Sequence, residues 1–116
     1  MMNSNEKIST HFRIWFFKGE DKLLGKGRVE LLELIKKTGS ITNAAKEMRM
    51  SYRQAWQMVK EMNERATEIL VEKHLGGKSG GGASITPKAE KLISSFYEIQ
   101  EKVKNFINEE MKKIDI

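Results

Sequence analysis

The sequence contains no cysteine, which excludes disulfide bonds, thiol catalysis and cysteine-ligated zinc. Its two histidines, His11 and His74, are far apart and show no spacing to carboxylates that is typical of a metal site. No apolar run is long enough to cross a bilayer, and the polar start MMNSNEK lacks the apolar region of a secretory signal. These absences predict a cytoplasmic protein that is not an enzyme and that has no metal, no cofactor and no membrane partner.

Basic residues outnumber acidic ones, which gives a formal net charge of +5 and a pI near 9.5. This balance favours partners that carry phosphate, although scattered surface lysines give many proteins a similar value. A length of 116 residues corresponds to one domain with one modest core.

Residues 40–66 have the pattern of two short helices joined by a tight polar turn, which is typical of a helix-turn-helix. The first helix is predicted to begin after Ser40 or Thr42, either of which can cap it. Its buried side chains are expected to be Ala44, Ala45 and Met48.

The second helix is predicted to begin after Ser51 and to have one apolar and one polar face. The apolar face comprises Tyr52, Ala55, Val59, Met62 and Ala66. The polar face comprises Arg53, Gln57, Lys60 and Glu64. Trp56 lies at the boundary between the two faces, where a packing role is favoured over an exposed one. One face is therefore predicted to join the core while the other is free to bind a partner.

The segment before this motif predicts a hairpin followed by a helix. Aromatic residues alternate over His11–Lys18, as in a strand, and 22–24 can form a short return strand. The helix is predicted over Arg28–Thr38, ended by Gly39. Its inward residues are expected to be Leu31, Leu32, Leu34 and Ile35, with Val29 at the margin.

Two further strands are predicted at Ile69–Leu75 and Ala83–Ile85, separated by the glycine-rich loop GGKSGGG. This arrangement is typical of the wing of a winged helix, in which Lys78 and Ser79 would contact phosphate. A surface turn without a function is the alternative. Gly77-Lys78-Ser79 also matches the end of the phosphate-binding motif of nucleotide hydrolases. That motif needs a glycine five positions before Gly77, where this chain has Glu72, so nucleotide hydrolysis is not predicted.

A long helix is predicted after Thr86, which can cap it, with Pro87 in the first turn. Its apolar residues follow one another at alternating intervals of four and three residues, which is the spacing of a coiled-coil seam. They are Leu92, Phe96, Ile99, Val103 and Phe106. The spacing favours a homodimer interface, and the alternative is a helix that packs wholly on its own domain.

The run GRVELLELIKKTGSITNAAKEMRMSYRQAWQMVKEMNE, followed by ILVEKHLGGKSGGGASITPKAEKLI, resembles the winged-helix domain of the ModE family of molybdate-responsive regulators. It is more distantly similar to the DNA-binding domain of LysR-type regulators. The resemblance covers Gly27 to Phe106 and implies DNA binding and dimerisation. In that family molybdate-binding domains follow the DNA-binding domain. Because this chain ends at Ile116, we expect it to lack its own sensor, and a separate partner could sense the effector.

We therefore predict an α+β fold, a winged helix-turn-helix with an N-terminal β-hairpin and a long C-terminal dimerisation helix. Residues 1–10 are expected to be a flexible terminus, 11–86 the DNA-binding domain and 87–116 its dimerisation helix. The alternative function is a winged helix that binds another protein and no longer binds DNA.

The predicted function is sequence-specific regulation of transcription by a homodimer on a palindromic operator in double-stranded DNA. The candidates for base contacts are Tyr52, Arg53, Gln54 and Gln57. Tyr52 could instead be a core residue or a phosphate contact. The candidates for phosphate contacts are Ser51, Lys60, Lys78 and Ser79.

Overall fold

A computed structural model describes residues 8–75 and 82–115 of the chain and has the predicted mixed architecture of helices and small antiparallel hairpins. The elements in chain order are β1 (Phe16–Lys18), β2 (Asp21–Leu24), α1 (Lys26–Thr38), α2 (Ile41–Glu47), α3 (Tyr52–Arg65), β3 (Val71–His74), β4 (Gly82–Ile85) and α4 (Pro87–Met111). β1 pairs with β2, and β3 pairs with β4. The α+β prediction is thus confirmed, with a helical centre between two hairpins.

The centre of the core is the apolar face of α1. Leu31, Leu32 and Ile35 are buried as predicted, but Val29 is also fully buried while Leu34 is only half-buried. Val29 is therefore a core residue and Leu34 a marginal one, which is the reverse of the prediction. Val29 lies one turn before Leu32 on the same helix face, so it enters the core with Leu32.

The helix-turn-helix has the predicted caps. The Ser40 side chain accepts a hydrogen bond from the Asn43 amide at 3.1 Å, so Ser40 rather than Thr42 caps α2. At the other end of α2, Arg49 has a positive φ of 56°. The Met50 amide donates to the Ala45 carbonyl at 3.0 Å across this turn. This is the hydrogen bond of a left-handed helix end, which sets where α3 begins.

α3 buries one face, as the sequence pattern predicts. Ala55, Val59 and Met62 are buried, and Ala66 is half-buried just after the helix ends. The prediction that Tyr52 shares this face is wrong, because its side chain is 51% exposed. Tyr52 is the first residue of α3 and lies beyond the reach of the core.

The second hairpin is joined to the helices by side-chain and backbone hydrogen bonds. Asn63 of α3 accepts from the Leu70 and Val71 amides at 2.8 and 3.0 Å, and its amide donates to the Val71 carbonyl. The Ala83 amide donates to the Gly39 carbonyl at 2.8 Å. The base of the wing is therefore held against both α3 and the turn after α1.

The N-terminal strand is shorter than predicted. Only Phe16–Lys18 pairs with a neighbouring strand, and the chain before it is extended without pairing. The predicted alternation is nevertheless present, since Phe12, Ile14 and Phe16 are half-buried and the residues between them are exposed. These half-buried positions lie on the face that contains Phe16, which packs edge-on against Phe96 of α4 with ring centroids 5.5 Å apart.

α4 begins as predicted, with Thr86 accepting a hydrogen bond from the Ala89 amide at 3.2 Å and Pro87 in the first turn. Phe96 is only 2% exposed and belongs to the core of the chain itself. This corrects its assignment to the dimer seam, because Phe16 already covers the ring. From residue 97 to residue 115 no side chain is buried, so the second half of α4 extends beyond the core.

Candidate nucleic-acid interface

The candidate interface is the polar face of α3. Arg53, Gln54, Gln57 and Lys60 are all exposed, while the opposite face of the helix lies in the core. Arg53 forms no ion pair with any residue in the described ranges 8–75 and 82–115. The structure thus brings together the predicted contact residues of α3 on one accessible surface.

Ser51 caps α3 and remains able to contact a partner. Its side-chain oxygen accepts from the Gln54 amide at 3.0 Å. A serine hydroxyl has one proton to donate in addition to its acceptor positions, so this cap leaves the donor available. Ser51 is also exposed, so it can both cap the helix and donate to a phosphate oxygen.

Gln57 is engaged in a polar network that was not predicted. Its side-chain amide donates to Glu61 at 3.1 Å, and Glu61 also pairs with Arg28 of α1 at 2.5 Å. The Gln57 hydrogen bond and then the Arg28 guanidinium lower the pKa of Glu61. Arg28 and Arg65 each donate to the Lys22 carbonyl as well.

This network links α3 to α1 and β2, so the side of α3 next to the interface is held by charge-assisted hydrogen bonds. The network also holds the side chain of Gln57 towards Glu61. A glutamine recognises the edge of adenine through two hydrogen bonds. One of them is donated by the side-chain amide group, which in Gln57 already donates to Glu61. Because that amide group carries two hydrogens, one can donate to adenine while the other donates to Glu61, so the network orients Gln57 without excluding it from readout.

A second group beside α3 joins it to the wing. The ammonium of Lys60 lies 5.7 Å from the centroid of the Trp56 ring, and that of Lys73 on β3 lies 4.6 Å from it. Trp56 is half-buried but is not among the partly buried apolar residues that pack against the core. Trp56 was predicted to be a packing residue, but its ring lies beside two ammonium groups rather than against the core. Lys73 was not among the predicted contact residues. The sequence placed it only within the predicted strand Ile69–Leu75, with nothing to relate it to α3.

The predicted wing contacts Lys78 and Ser79 lie outside the described residues, as does the glycine-rich loop from residue 76 to residue 81. So do residues 1–7 of the predicted flexible terminus. The structure describes both strands that lead into this loop, with His74 opposite Gly82.

Residues 8–75 and 82–115 contain no candidate metal-binding cluster and no helix suited to span a membrane. No group of three or more histidine, aspartate or glutamate side chains there could hold a metal ion. None of the helices in these ranges is long and apolar enough to span a membrane.

Comparison with protein families matches residues 27–90 to the bacterial regulatory helix-turn-helix proteins of the lysR family. The molybdenum-pterin-binding protein MopB of Rhodobacter capsulatus is 40% identical over 93 residues, which are 80% of this chain and 34% of MopB. The transcriptional regulator ModE of Yersinia pestis is 46% identical over 69 residues, 60% of this chain and 26% of that protein. The dual regulator ModE of Escherichia coli K12 is 44% identical over the same share of each chain.

Among solved structures, full-length LTTR LysG from Corynebacterium glutamicum aligns with a TM-score of 0.52 and 20% identity. The alignment covers 77% of this chain and 30% of LysG, and at this identity it supports the fold alone. The chain spans about a third or less of the length of these relatives. The matched family consists of regulatory proteins rather than enzymes, as the sequence predicts. Because the family match covers more than half of the chain, this protein belongs to the lysR family of bacterial regulatory helix-turn-helix proteins.

Proposed function

We propose that the protein regulates transcription by binding a specific sequence of double-stranded DNA as a homodimer, with α3 of each protomer in a major groove. The observation that carries this proposal is the division of α3 into two faces. The buried face and the Glu61 network fix the helix against the core, while Arg53 and its polar neighbours are exposed. A rigid helix with an accessible basic and amide-bearing face is what readout in the major groove requires.

Arg53 is the principal candidate for base recognition. It lies in the first turn of α3 and is exposed, and an arginine can form two hydrogen bonds to guanine. Gln54 is beside it and Gln57 follows one turn later. The exposure of Tyr52 supports a phosphate contact for its hydroxyl rather than a core role.

The proposed dimer uses the second half of α4. Ile99 and Phe106 are 42% and 56% exposed and lie seven residues apart, with the half-buried Val103 between them. Two-fold symmetry would place two copies of α3 on successive major grooves, one helical turn or a multiple of it apart. A palindromic operator follows from this symmetry.

The test is selection of binding sites from a library of random duplexes, followed by titration of the wild-type protein and of Arg53→Ala. We expect this variant to lose about 1 to 3 kcal/mol of binding free energy for each half-site and to relax base preference at one position of each half-site. Lys104→Ala is the matched control, because it removes the same charge from an exposed position on α4 that lies off the proposed seam. It should leave base preference unchanged.

Two results would contradict the proposal in different ways. Unchanged affinity and preference in Arg53→Ala would show that α3 is not the reading helix. If the wild-type protein bound no duplex at low salt, the surface of α3 would instead serve a protein partner.

A further inference from the structure

The group formed by Trp56, Lys60 and Lys73 lies outside the hydrophobic core and joins α3 to β3 through cation–π contacts. Trp56 does not pack against the core, and both lysines are exposed. Neither lysine forms an ion pair with an acidic side chain in residues 8–75 and 82–115. Two ammonium groups from different elements nevertheless lie within 6 Å of one indole ring.

The physical consequence of this arrangement is that two positive charges from different elements lie near one ring. The negative face of an indole attracts an ammonium group by about 0.5 to 1 kcal/mol at an exposed site. Two ammonium groups at the same ring also repel each other, and an anion beside them would relieve that repulsion. Each lysine side chain has rotamer entropy of up to about 2 kcal/mol to lose on binding, and the ring restricts that freedom in advance.

The position of the group indicates which anion it would meet. Lys60 lies seven residues after Arg53 on α3, so both project from the same side of the helix. Lys73 lies on β3, one residue before the end of that strand. A helix in the major groove has a phosphate backbone at its edge, and the group extends from α3 to the neighbouring strand β3.

We propose that Lys60 and Lys73 together bind a phosphate-bearing stretch of DNA backbone and that Trp56 is the positioning residue that holds both ammonium groups for it. This inference rests on the proposed function, because it assumes that α3 faces DNA. It adds Lys73 and Trp56 to the interface and gives them a contribution that is independent of base sequence.

The test is a fluorescence anisotropy titration of the full chain with a labelled duplex of random sequence, about two helical turns long. It is repeated at several salt concentrations between about 50 and 200 mM. Each lysine that contacts a phosphate contributes about 0.9 to the slope of log affinity against log salt. Lys60→Gln and Lys73→Gln should therefore each reduce the slope by about 1.8 for a bound dimer, which carries two copies of the site, and the double variant by about twice that. Lys104→Gln is the charge-matched control, since Lys104 is exposed on α4 and lies off the proposed seam, and it should leave the slope unchanged.

The role of Trp56 is tested by a double-mutant cycle. Trp56→Leu should weaken binding about two- to fivefold with little change in the salt slope, whereas Trp56→Phe should keep most of the affinity because it retains a ring. In the Lys60→Gln, Lys73→Gln background the effect of Trp56→Leu should vanish. An equal effect in both backgrounds would overturn the positioning role, since a purely structural loss would persist without the lysines.

The outcomes separate this inference from the function on which it rests. If Lys73→Gln kept both the affinity and the salt slope of the wild type while Arg53→Ala altered base preference, the phosphate site would be wrong and DNA reading by α3 would stand. If the wild-type protein bound no duplex at about 50 mM salt, both proposals would fall together.

Discussion

Arg49 occupies the turn between α2 and α3 with a φ of 56°, a conformation that residues with a Cβ atom adopt at a cost. The cost is about 1 to 2 kcal/mol, and glycine avoids it but loses about 0.5 to 1 kcal/mol more backbone entropy on folding. We therefore expect Arg49→Gly to raise the free energy of unfolding by about 0.5 to 1 kcal/mol, measured by urea denaturation. Arg49→Ala keeps the Cβ atom and should give no such gain. Equal gains in both variants would show that the arginine side chain, rather than the backbone, is responsible.

Tyr97 links α4 to α1 through a hydrogen bond from its hydroxyl to Glu33 at 2.6 Å. This bond, together with burial and the carboxylate charge, raises the pKa of Tyr97 from 10.0 to about 12. Because the folded state holds the proton more tightly than the unfolded state, the stabilisation is complete below pH 10 and is lost as the pH rises through 12.

The variant Tyr97→Phe should therefore be less stable than wild type at neutral pH, and the difference should shrink between pH 10 and 12. The side chain is 43% exposed, so solvent screening limits the difference to less than about 1 kcal/mol. Denaturant unfolding at a series of alkaline pH values measures it. Tyr52→Phe is the control, because the Tyr52 hydroxyl has no hydrogen-bond partner among residues 8–75 and 82–115. A Tyr97→Phe difference that stayed constant over this range would contradict the prediction.

The start of α1 depends on a close approach between Gly25 and the preceding extended segment. A Cβ atom at Gly25 would lie 2.4 Å from the ring of Trp15, whereas one at Gly27 would meet nothing within 4 Å. Gly25→Ala must therefore displace the indole, and we expect it to destabilise the protein by about 1 to 3 kcal/mol and to shift Trp15 fluorescence.

Gly27→Ala is the matched control for this prediction. Gly27 is the second residue of α1, so alanine should stabilise the protein by less than the roughly 1 kcal/mol that it contributes in a helix interior, and it should leave the fluorescence unchanged. If both alanine variants behaved alike, the contact with Trp15 would not determine how α1 begins.

The elements follow from local rules that a sequence displays. Ser51 is a good cap, and Gly39 has a φ of 71° where a helix must end. The errors arise where a distant segment decides the environment. Periodicity places Phe96 on the α4 seam but cannot tell that Phe16, eighty residues earlier, covers it. Likewise, no spacing along the chain relates Trp56 to Lys73, because β3 brings them together only in the folded protein.

The molecule as a whole is elongated. Its radius of gyration is 18.2 Å, compared with about 13 Å for a compact chain of this length, and its extents are 61 × 33 × 22 Å. The excess length is consistent with α4, whose 25 residues correspond to about 37 Å of helix. A helix that leaves the core with apolar side chains exposed is stabilised when a second copy covers them.

We expect the wild-type protein to sediment as a dimer at micromolar concentration. Ile99→Gln and Phe106→Gln, combined in one chain, should weaken that dimer at least about a hundredfold, because two apolar side chains per protomer would no longer be buried. Glutamine is a good helix former, so α4 itself should persist, which circular dichroism measures. The control combines Glu101→Gln with Lys104→Gln, two exposed positions off the seam whose replacement leaves the net charge unchanged. Sedimentation of the wild type as a monomer, or equal dissociation of both double variants, would rule out this face of α4 as the interface.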